Sequence, residues 1–282
     1  MTLNKIKEKI ILGTVQLGKK YGITNFSKIP NKKNVFKILS LAINNNINRF
    51  DTAPSYNTEK LLGSFIKTHG LHEDVKIYTK IPSIKNKDVN SFIRFSIEKS
   101  IKNLNCNVDT LFFHDTKDFS KLDRDKFFFD QLKKDYNIKN IGFSIYSKKH
   151  PKYIYKKKFD FSIQYPLSIA NNKFESTNFG KNKNFARSIF LQGILLNKKA
   201  KKKVSNSLKK SMNQFHEQVL QMKIDPLDLC LSYVFNNKNV DFFLIGVDNL
   251  LQLKKILNFK NIYNYNNENN FYKKLNLLFN KK

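Results

Sequence analysis

Eight short apolar runs, separated by stretches of helical spacing or loop composition, constrain what this chain can fold into more than any other feature. The runs are Lys9–Gly13, Asn48–Asp51, Val75–Lys80, Val108–Phe113, Ile138–Phe143, Asp160–Gln164, Phe185–Phe190 and Asp241–Ile245. They are rich in β-branched and aromatic residues, which suit strands. Between them, residues 88–104 carry Ile93, Ile97, Ile101 and Leu104 on one helical stripe. Asn57-Thr58-Glu59 opens a second helix bearing Leu61, Leu62, Phe65 and Ile66. Asp225 before Pro226 is a cap with proline at the first helical position, and Leu227, Leu231 and Val234 continue a buried face.

Strand alternating with helix predicts an α/β protein with a parallel sheet. Eight such units in 282 residues match a closed (β/α)8 TIM barrel, typically about 250 residues long. One domain over 1–282 is expected, because 40% hydrophobic residues supply one large core and no repeat or Pro/Gly-rich linker marks a boundary. A doubly wound sheet would carry a glycine-rich dinucleotide loop after its first strand. Gly13-Thr14-Val15-Gln16-Leu17-Gly18 lacks that spacing and precedes no obvious helix. Lys198–Lys203 is expected to be a solvated loop, and Asn261–Asn270 a polar stretch before a last amphipathic helix near Phe271–Phe279.

The net charge is +30, from 52 Lys+Arg against 22 Asp+Glu. Such an excess suits a polyanion. Arginine occurs only at 49, 94, 124 and 187, however, so the excess is diffuse lysine, alongside abundant Asn and Ile that share A/T-rich codons. A dedicated nucleic-acid binder would use arginine forks and clustered aromatics. No specific nucleic-acid partner is expected, and association driven by charge alone would be steeply salt-dependent. No run approaches the roughly 18–20 apolar residues of a membrane helix, and Met1–Lys5 lacks a secretory apolar stretch, so a cytoplasmic location is expected. Cys106 and Cys230 cannot make a disulfide framework and read as core residues. His69, His72, Glu73 and Asp74 do not complete a metal shell, and no metal is expected.

In a barrel of this kind, polar residues at the C-terminal strand ends face the mouth. Asp51 ends the second run, Lys80 the third and His114 follows the fourth, while Tyr56 lies five residues past Asp51. Singly each has a bland reading: lysines and tyrosines commonly sit at the surface, and a histidine after Leu-Phe-Phe is often a satisfied buried one. The set, in order on consecutive strand ends, is what carries information.

The stretch Phe50-Asp51-Thr52-Ala53-Pro54-Ser55-Tyr56-Asn57-Thr58-Glu59-Lys60-Leu61-Leu62-Gly63 closely resembles the signature of the aldo-keto reductases. Thr79-Lys80, Phe113-His114-Asp115, Ile141-Gly142-Phe143-Ser144, Ile163-Gln164-Tyr165, Leu191-Gln192-Gly193-Ile194-Leu195 and Leu244-Ile245-Gly246 follow in the family's order. The resemblance implies a (β/α)8 barrel that uses NADPH or NADH and a catalytic tetrad of Asp51, Tyr56, Lys80 and His114. Hydride reduction of a carbonyl leaves negative charge on its oxygen, so a proton donor must stand nearby. By the resemblance Tyr56 is that donor. Lys80 is expected to lower its pKa toward the working range, Asp51 to pair with Lys80, and His114 to orient the carbonyl. Ser144 and Gln164 would hydrogen-bond the nicotinamide carboxamide.

The match also breaks in places. Ile145 follows Ser144 where the family commonly has Asn, and Arg187 takes the place of the aromatic that stacks on nicotinamide. A guanidinium can stack on that ring, bind a substrate phosphate or carboxylate, or form a structural salt bridge. Where many NADPH-binding members place Lys, Ser and Arg for the 2′-phosphate, this chain has Gly246, Val247 and Gln252. Asp248 among them would repel that phosphate and accept from a free 2′-hydroxyl, whereas Lys254 and Lys255 offer cation, so the cofactor preference stays open. The Gly246–Asn249 loop before a helix could cradle the pyrophosphate. Val15-Gln16-Leu17-Gly18, Tyr21-Gly22-Ile23 and the variants around Ser144 and Arg187 resemble a bacterial branch tied to surface polysaccharide or carbohydrate metabolism. The resulting expectation is an NAD(P)H-dependent carbonyl reductase acting on an aldehyde, ketone, sugar or nucleotide sugar. The alternative is a nicotinamide-binding regulatory barrel with little turnover.

Overall fold

A computed structural model describes residues 3–84, 88–115, 118, 122, 126–147, 160–177, 179, 183–199, 204–261 and 269–280. Along the chain run α1 (Leu3–Lys9), β1 (Ile10–Gly13), α2 (Val15–Gly18), α3 (Lys32–Ile43), β2 (Arg49–Asp51), α4 (Glu59–His69), β3 (Lys76–Ile81), α5 (Val89–Leu104), β4 (Thr110–Phe113) and α6 (Lys126–Asp135). Then come β5 (Asn140–Ser144), β6 (Ser162–Pro166), β7 (Asn184–Arg187), α7 (Asn206–Gln221), α8 (Pro226–Phe235), β8 (Phe242–Gly246), α9 (Leu250–Leu257) and α10 (Asn269–Leu277). The strands form a closed barrel in chain order, with β1 pairing β8 in parallel. The architecture is the (β/α)8 TIM barrel.

Helix starts follow the capping chemistry. Asp88 accepts from the Ser91 amide ahead of α5, and Asp225 accepts from the Leu227 amide with Pro226 in the first turn of α8. Each strand alternates inward and outward side chains. Inward, Ile11, Tyr78, Phe112 and Phe185 form their own buried cluster, with Phe242 and Leu244 packed against it. Phe185 meets Tyr78 and Phe112 edge-on, with ring centroids 5.3 Å apart in each pair. Gly142 makes room for this floor, since a Cβ there would come within 2.5 Å of the Phe112 ring. The larger apolar cluster lies between the strands and the surrounding helices.

Several details depart from the sequence reading. The strand after Asn184 stops at Arg187 rather than Phe190, because Ser188 turns left-handed (φ 58°). A short helix, α2, does follow Gly13–Thr14. The last helix runs over Asn269–Leu277, not Phe271–Phe279. Among the described residues, not every strand is followed by a helix. Between β6 and β7 the described residues form turns and a Ser168–Asn171 bridge. That connection is held by other means: Tyr165 packs on Phe174 and Phe179, and Asn237 and Asn239 donate to the Glu175 carbonyl. Residues 200–203 and 262–268 of the two polar segments lie outside the described residues. Cys230 is buried, whereas Cys106 is half-buried at the core's edge. Among the described residues no helix is long and apolar enough to cross a membrane.

Candidate active site

The inward face of the barrel gives the site its layout. One step of two residues beyond the floor brings each strand to its mouth: Tyr78 leads to Lys80, Phe112 to His114, Gly142 to Ser144, Phe185 to Arg187 and Leu244 to Gly246. Arg49 leads likewise to Asp51, and Ser162 to Gln164. A carboxylate, an ammonium, an imidazole, a hydroxyl, a carboxamide and a guanidinium thus form one ring of inward positions. Above it opens a cleft of about 650 Å³, lined in part by Asp51, Tyr56, His114, Gln164, Arg187 and Gly246.

Lys80 and Asp51 are the buried centre of this ring, each at most 3% exposed. Lys80 Nζ donates to Asp51 Oδ1 at 2.6 Å and to the Thr52 carbonyl at 2.9 Å. The second Asp51 oxygen, Oδ2, accepts from Gln164 Nε2 at 3.0 Å. Burial alone would lower the Lys80 pKa, but Asp51 and then Tyr56 outweigh it and hold the ammonium above its ordinary range. Lys80 Nζ also lies 4.9 Å from the centre of the Tyr56 ring.

Tyr56 closes a short 3-10 turn, Pro54–Tyr56, ended by left-handed Asn57 (φ 61°). Three buried hydroxyls fasten the turn. Thr14 Oγ1 donates to the Asp51 carbonyl, and Thr58 Oγ1 lies 2.8 Å from Thr14 Oγ1 and 2.9 Å from Thr52 Oγ1, so the donors run from Thr52 through Thr58 to Thr14. Gly18 lets α2 close on this turn, because any side chain there would overlap the Tyr56 carbonyl and the Thr58 methyl. The electrostatics correct one expectation. Burial raises the phenol's pKa by more than Lys80 lowers it, so Tyr56 sits above its ordinary value. It is therefore held protonated, as a donor must be, and the ammonium serves to stabilise the phenolate once the proton has left.

His114 is neutral at physiological pH. Burial, helped by Lys80 and Arg187, pushes its pKa down to about 4, and Nδ1 is buried without a partner. Ser144 Oγ and Gln164 Oε1 are likewise buried and unpartnered. Ser144 and Gln164 are register neighbours on β5 and β6. One free hydroxyl beside one free carbonyl oxygen is the complement of a primary carboxamide, which offers an acceptor and a donor. Ser144 itself lies beneath the cleft lining.

Arg187 makes no salt bridge: among the described residues no carboxylate lies within ion-pair distance of it. Its guanidinium stacks on Tyr146, 4.1 Å from the ring centroid, and donates to the Ile145 carbonyl at 3.2 Å. At the far end, the Asp248 carboxylate is already engaged, accepting from Asn25 Nδ2 at 2.6 Å and Gln252 Nε2 at 3.2 Å. The Asp248 amide donates to Gln252 Oε1, so one backbone donor of the Gly246–Asn249 loop is also spoken for, and the Gln252 amide of the following helix donates to Asn249 Oδ1.

Sequence reasoning missed the segment that crosses the mouth. Gln16, Lys19, Tyr21 and Asn25 line the cleft from the connection after β1. Lys19 Nζ stands 5.7 Å over the Tyr56 ring, the Ile23 amide donates to the Gln192 carbonyl at 3.0 Å, and Gln16 packs on Gly246. Gln192 itself is left-handed (φ 55°), as is its neighbour Leu191 (φ 46°), a strained backbone of the kind that functional loops retain. The signal available was the position of these residues just beyond a strand end. Among the described residues no three His, Cys, Asp or Glu side chains group to hold a metal.

The model of the aldo/keto reductase family matches residues 9–271. The chain belongs to that family. Aldo/keto reductases are oxidoreductases that use NADPH or NADH to reduce carbonyl groups, and this barrel is one of them. A search of curated proteins gave no match. Among solved structures, the glycerol dehydrogenase of Gluconobacter oxydans aligns with a TM-score of 0.72 and 16% identity over 95% of this chain and 91% of that one. An aldo-keto reductase candidate from Pseudomonas aeruginosa aligns with a TM-score of 0.65 and 20% identity over 89% and 88%. At such identity these two aldo/keto reductase likenesses speak for the barrel alone.

Proposed function

We propose that the chain reduces a small hydroxylated carbonyl compound, of the sugar or polyol type, to its alcohol, with Tyr56 as proton donor. The observation that carries this reading is the buried Lys80–Asp51 pair against the Tyr56 ring at the floor of a dinucleotide-sized cleft. The nicotinamide cofactor, when bound, supplies the hydride that goes to the carbonyl carbon. Ser144 Oγ and Gln164 Oε1 would hold its carboxamide, with Gly246, Asp248 and Gln252 toward the adenosine end. Tyr56 gives its proton to the carbonyl oxygen as charge develops there, and Lys80 then faces a phenolate instead of a phenol. Asp51 keeps Lys80 charged throughout and, through Oδ2, fixes the Gln164 carboxamide so that only its oxygen points onward. Neutral His114 can offer an N–H to the substrate oxygen without competing as an acid, because its imidazole does not charge above about pH 4. Solvent reprotonates Tyr56, closing the cycle.

The polyol named for the Gluconobacter protein and the carbohydrate character of the sequence variants support a hydroxylated substrate. The reading covers one barrel unit over residues 1–282, working in the cytoplasm. The test is Tyr56→Phe. Removing a general acid costs about 10²–10⁴ in rate, so kcat should fall by that much while reduced-cofactor binding, followed by fluorescence, persists. A variant that turns over within a few-fold of the parent would remove Tyr56 from the proton-donor role.

A further inference from the structure

The mouth of the barrel carries two cations, Arg187 and Lys19, that no carboxylate pairs among the described residues. In the ring of inward groups Asp51 and Lys80 cancel, and His114 is neutral at physiological pH. Arg187 is left as a cation without a carboxylate among the described residues, and Lys19, which also lines the cleft, makes no ion pair there either. Asp225 and Asp248, which also line the cleft, keep their charge but accept from neutral amides and pair with neither cation. Asp248 is taken by Asn25 and Gln252, and Asp225 caps a helix by accepting from the Leu227 amide.

Arg187 is also held in a fixed pose. Tyr146 supports one face of the guanidinium plane, the Ile145 carbonyl takes one Nη2 hydrogen, and Nη1 reaches Ser188 Oγ only at 3.5 Å. Nε is buried with no partner. A planar fork steadied by Tyr146 and the Ile145 carbonyl, with its Nε–H unmet among the described residues, suits bidentate contact with an oxyanion. Position selects between two sources of oxyanion. Arg187 ends a strand in the same ring of inward positions as Asp51, Lys80 and His114 and is close enough to His114 to depress it, whereas Asp248 and Gln252 belong to the loop and helix that follow β8. An anion gripped here belongs with the reacting molecule rather than with the adenosine end of the cofactor.

We propose that the substrate carries a phosphate or carboxylate near its carbonyl, and that Arg187 binds that oxyanion through Nε–H and a free Nη–H, with Tyr146 holding the guanidinium plane and Lys19 adding a second positive charge. Arg187 is then the residue that sets substrate class. This rests on the reductase reading; it keeps the carbonyl chemistry and adds an anionic group to the substrate, which is then an anionic hydroxyaldehyde or, in place of a sugar, an oxo-acid.

The test compares matched pairs at 0.15 M salt, roughly physiological ionic strength, where long-range steering by the lysine-rich surface is damped. One pair is glyceraldehyde 3-phosphate against glyceraldehyde, the other succinic semialdehyde against butanal. In the parent, at least one pair should favour the charged member in kcat/KM by about 30-fold or more, and the pair that does so tells phosphate from carboxylate. Arg187→Gln should collapse that ratio toward one, and Arg187→Lys, which keeps charge but not the fork, should fall between; circular dichroism checks that both fold. Ratios near one in the parent for both pairs, or a ratio unchanged by Arg187→Gln, would overturn the proposal. If no carbonyl is turned over, the reductase reading has failed separately. Calorimetric titration with glycerol 3-phosphate, succinate and glycerol then decides: binding of an anion that Arg187→Gln abolishes upholds the Arg187 site, and equal or absent binding in parent and variant removes it.

Discussion

Substituting Asp51 by Asn keeps the shape but leaves one acceptor oxygen where Lys80 Nζ and Gln164 Nε2 both donate, and it deletes the carboxylate paired with Lys80. Both groups are at most 3% exposed and 2.6 Å apart, so the ammonium would be left buried and uncompensated. Breaking a buried pair from one side costs about 3–5 kcal/mol, which in a protein near this size lowers Tm by roughly 6–20 °C. The pH dependence should change sign. In the parent, Lys80 has a folded pKa above its ordinary 10.5, so its stabilisation is complete below about pH 10.5 and is lost only as pH rises through the folded value. In Asp51→Asn, burial, the largest influence, is opposed by Tyr56 alone and drops the folded pKa below the ordinary value. The variant should therefore gain stability from pH 7 toward pH 10, where the parent gains nothing from this group. Adding Lys80→Met should restore most of the lost stability, because an apolar side chain tolerates the site that a lone cation does not. Thermal unfolding of parent, both single variants and the double variant at pH 7 and pH 9.5 measures all of this. A loss under about 1 kcal/mol in Asp51→Asn, the size of an exposed pair, would refute the reasoning.

Three further outcomes follow from the same geometry. Gly142→Ala should lower stability by about 1–3 kcal/mol, read from its Tm, because its Cβ meets the fully buried Phe112 ring. The pH profile of kcat/KM should show no acid limb between pH 5 and 7, since His114 charges only near pH 4; a limb near 6.5 would contradict its neutral role. Both thiols should react slowly with a disulfide reagent at pH 8, because burial pushes Cys106 up to about 11 and Cys230 higher still. Fast labelling of either would contradict their placement.

The barrel was legible because a parallel strand buried on both sides writes a short, dense apolar run, and eight runs leave few ways to close a sheet. Three of the four residues that the resemblance groups stood out for a related reason, as polar ends of consecutive runs. Asp51, Lys80 and His114 lie one inward step beyond the floor of the barrel, and that step is a fixed spacing of two along a strand. What the chain did not reveal depends on contacts between distant segments. Nothing local in Tyr21–Ser27 announces that Asn25 will reach Asp248 or that the Ile23 amide will find Gln192. Likewise the adjacent ammonium suggested a lowered Tyr56 pKa, yet the depth of burial, which no spacing encodes, decides the balance. At Arg187 the sequence left open stacking, a salt bridge and an anion site. Among the described residues no carboxylate pairs with Arg187, and its guanidinium meets Tyr146 instead.

The central claim is that hydride and proton meet one carbonyl at this mouth. Incubating the enzyme with cofactor dideuterated at nicotinamide C4 and the aldehyde it turns over best, then weighing the alcohol, tests it most directly. The account predicts product one mass unit heavier, with deuterium on the former carbonyl carbon. Alcohol formed without that label, or label found elsewhere in the product, would contradict it.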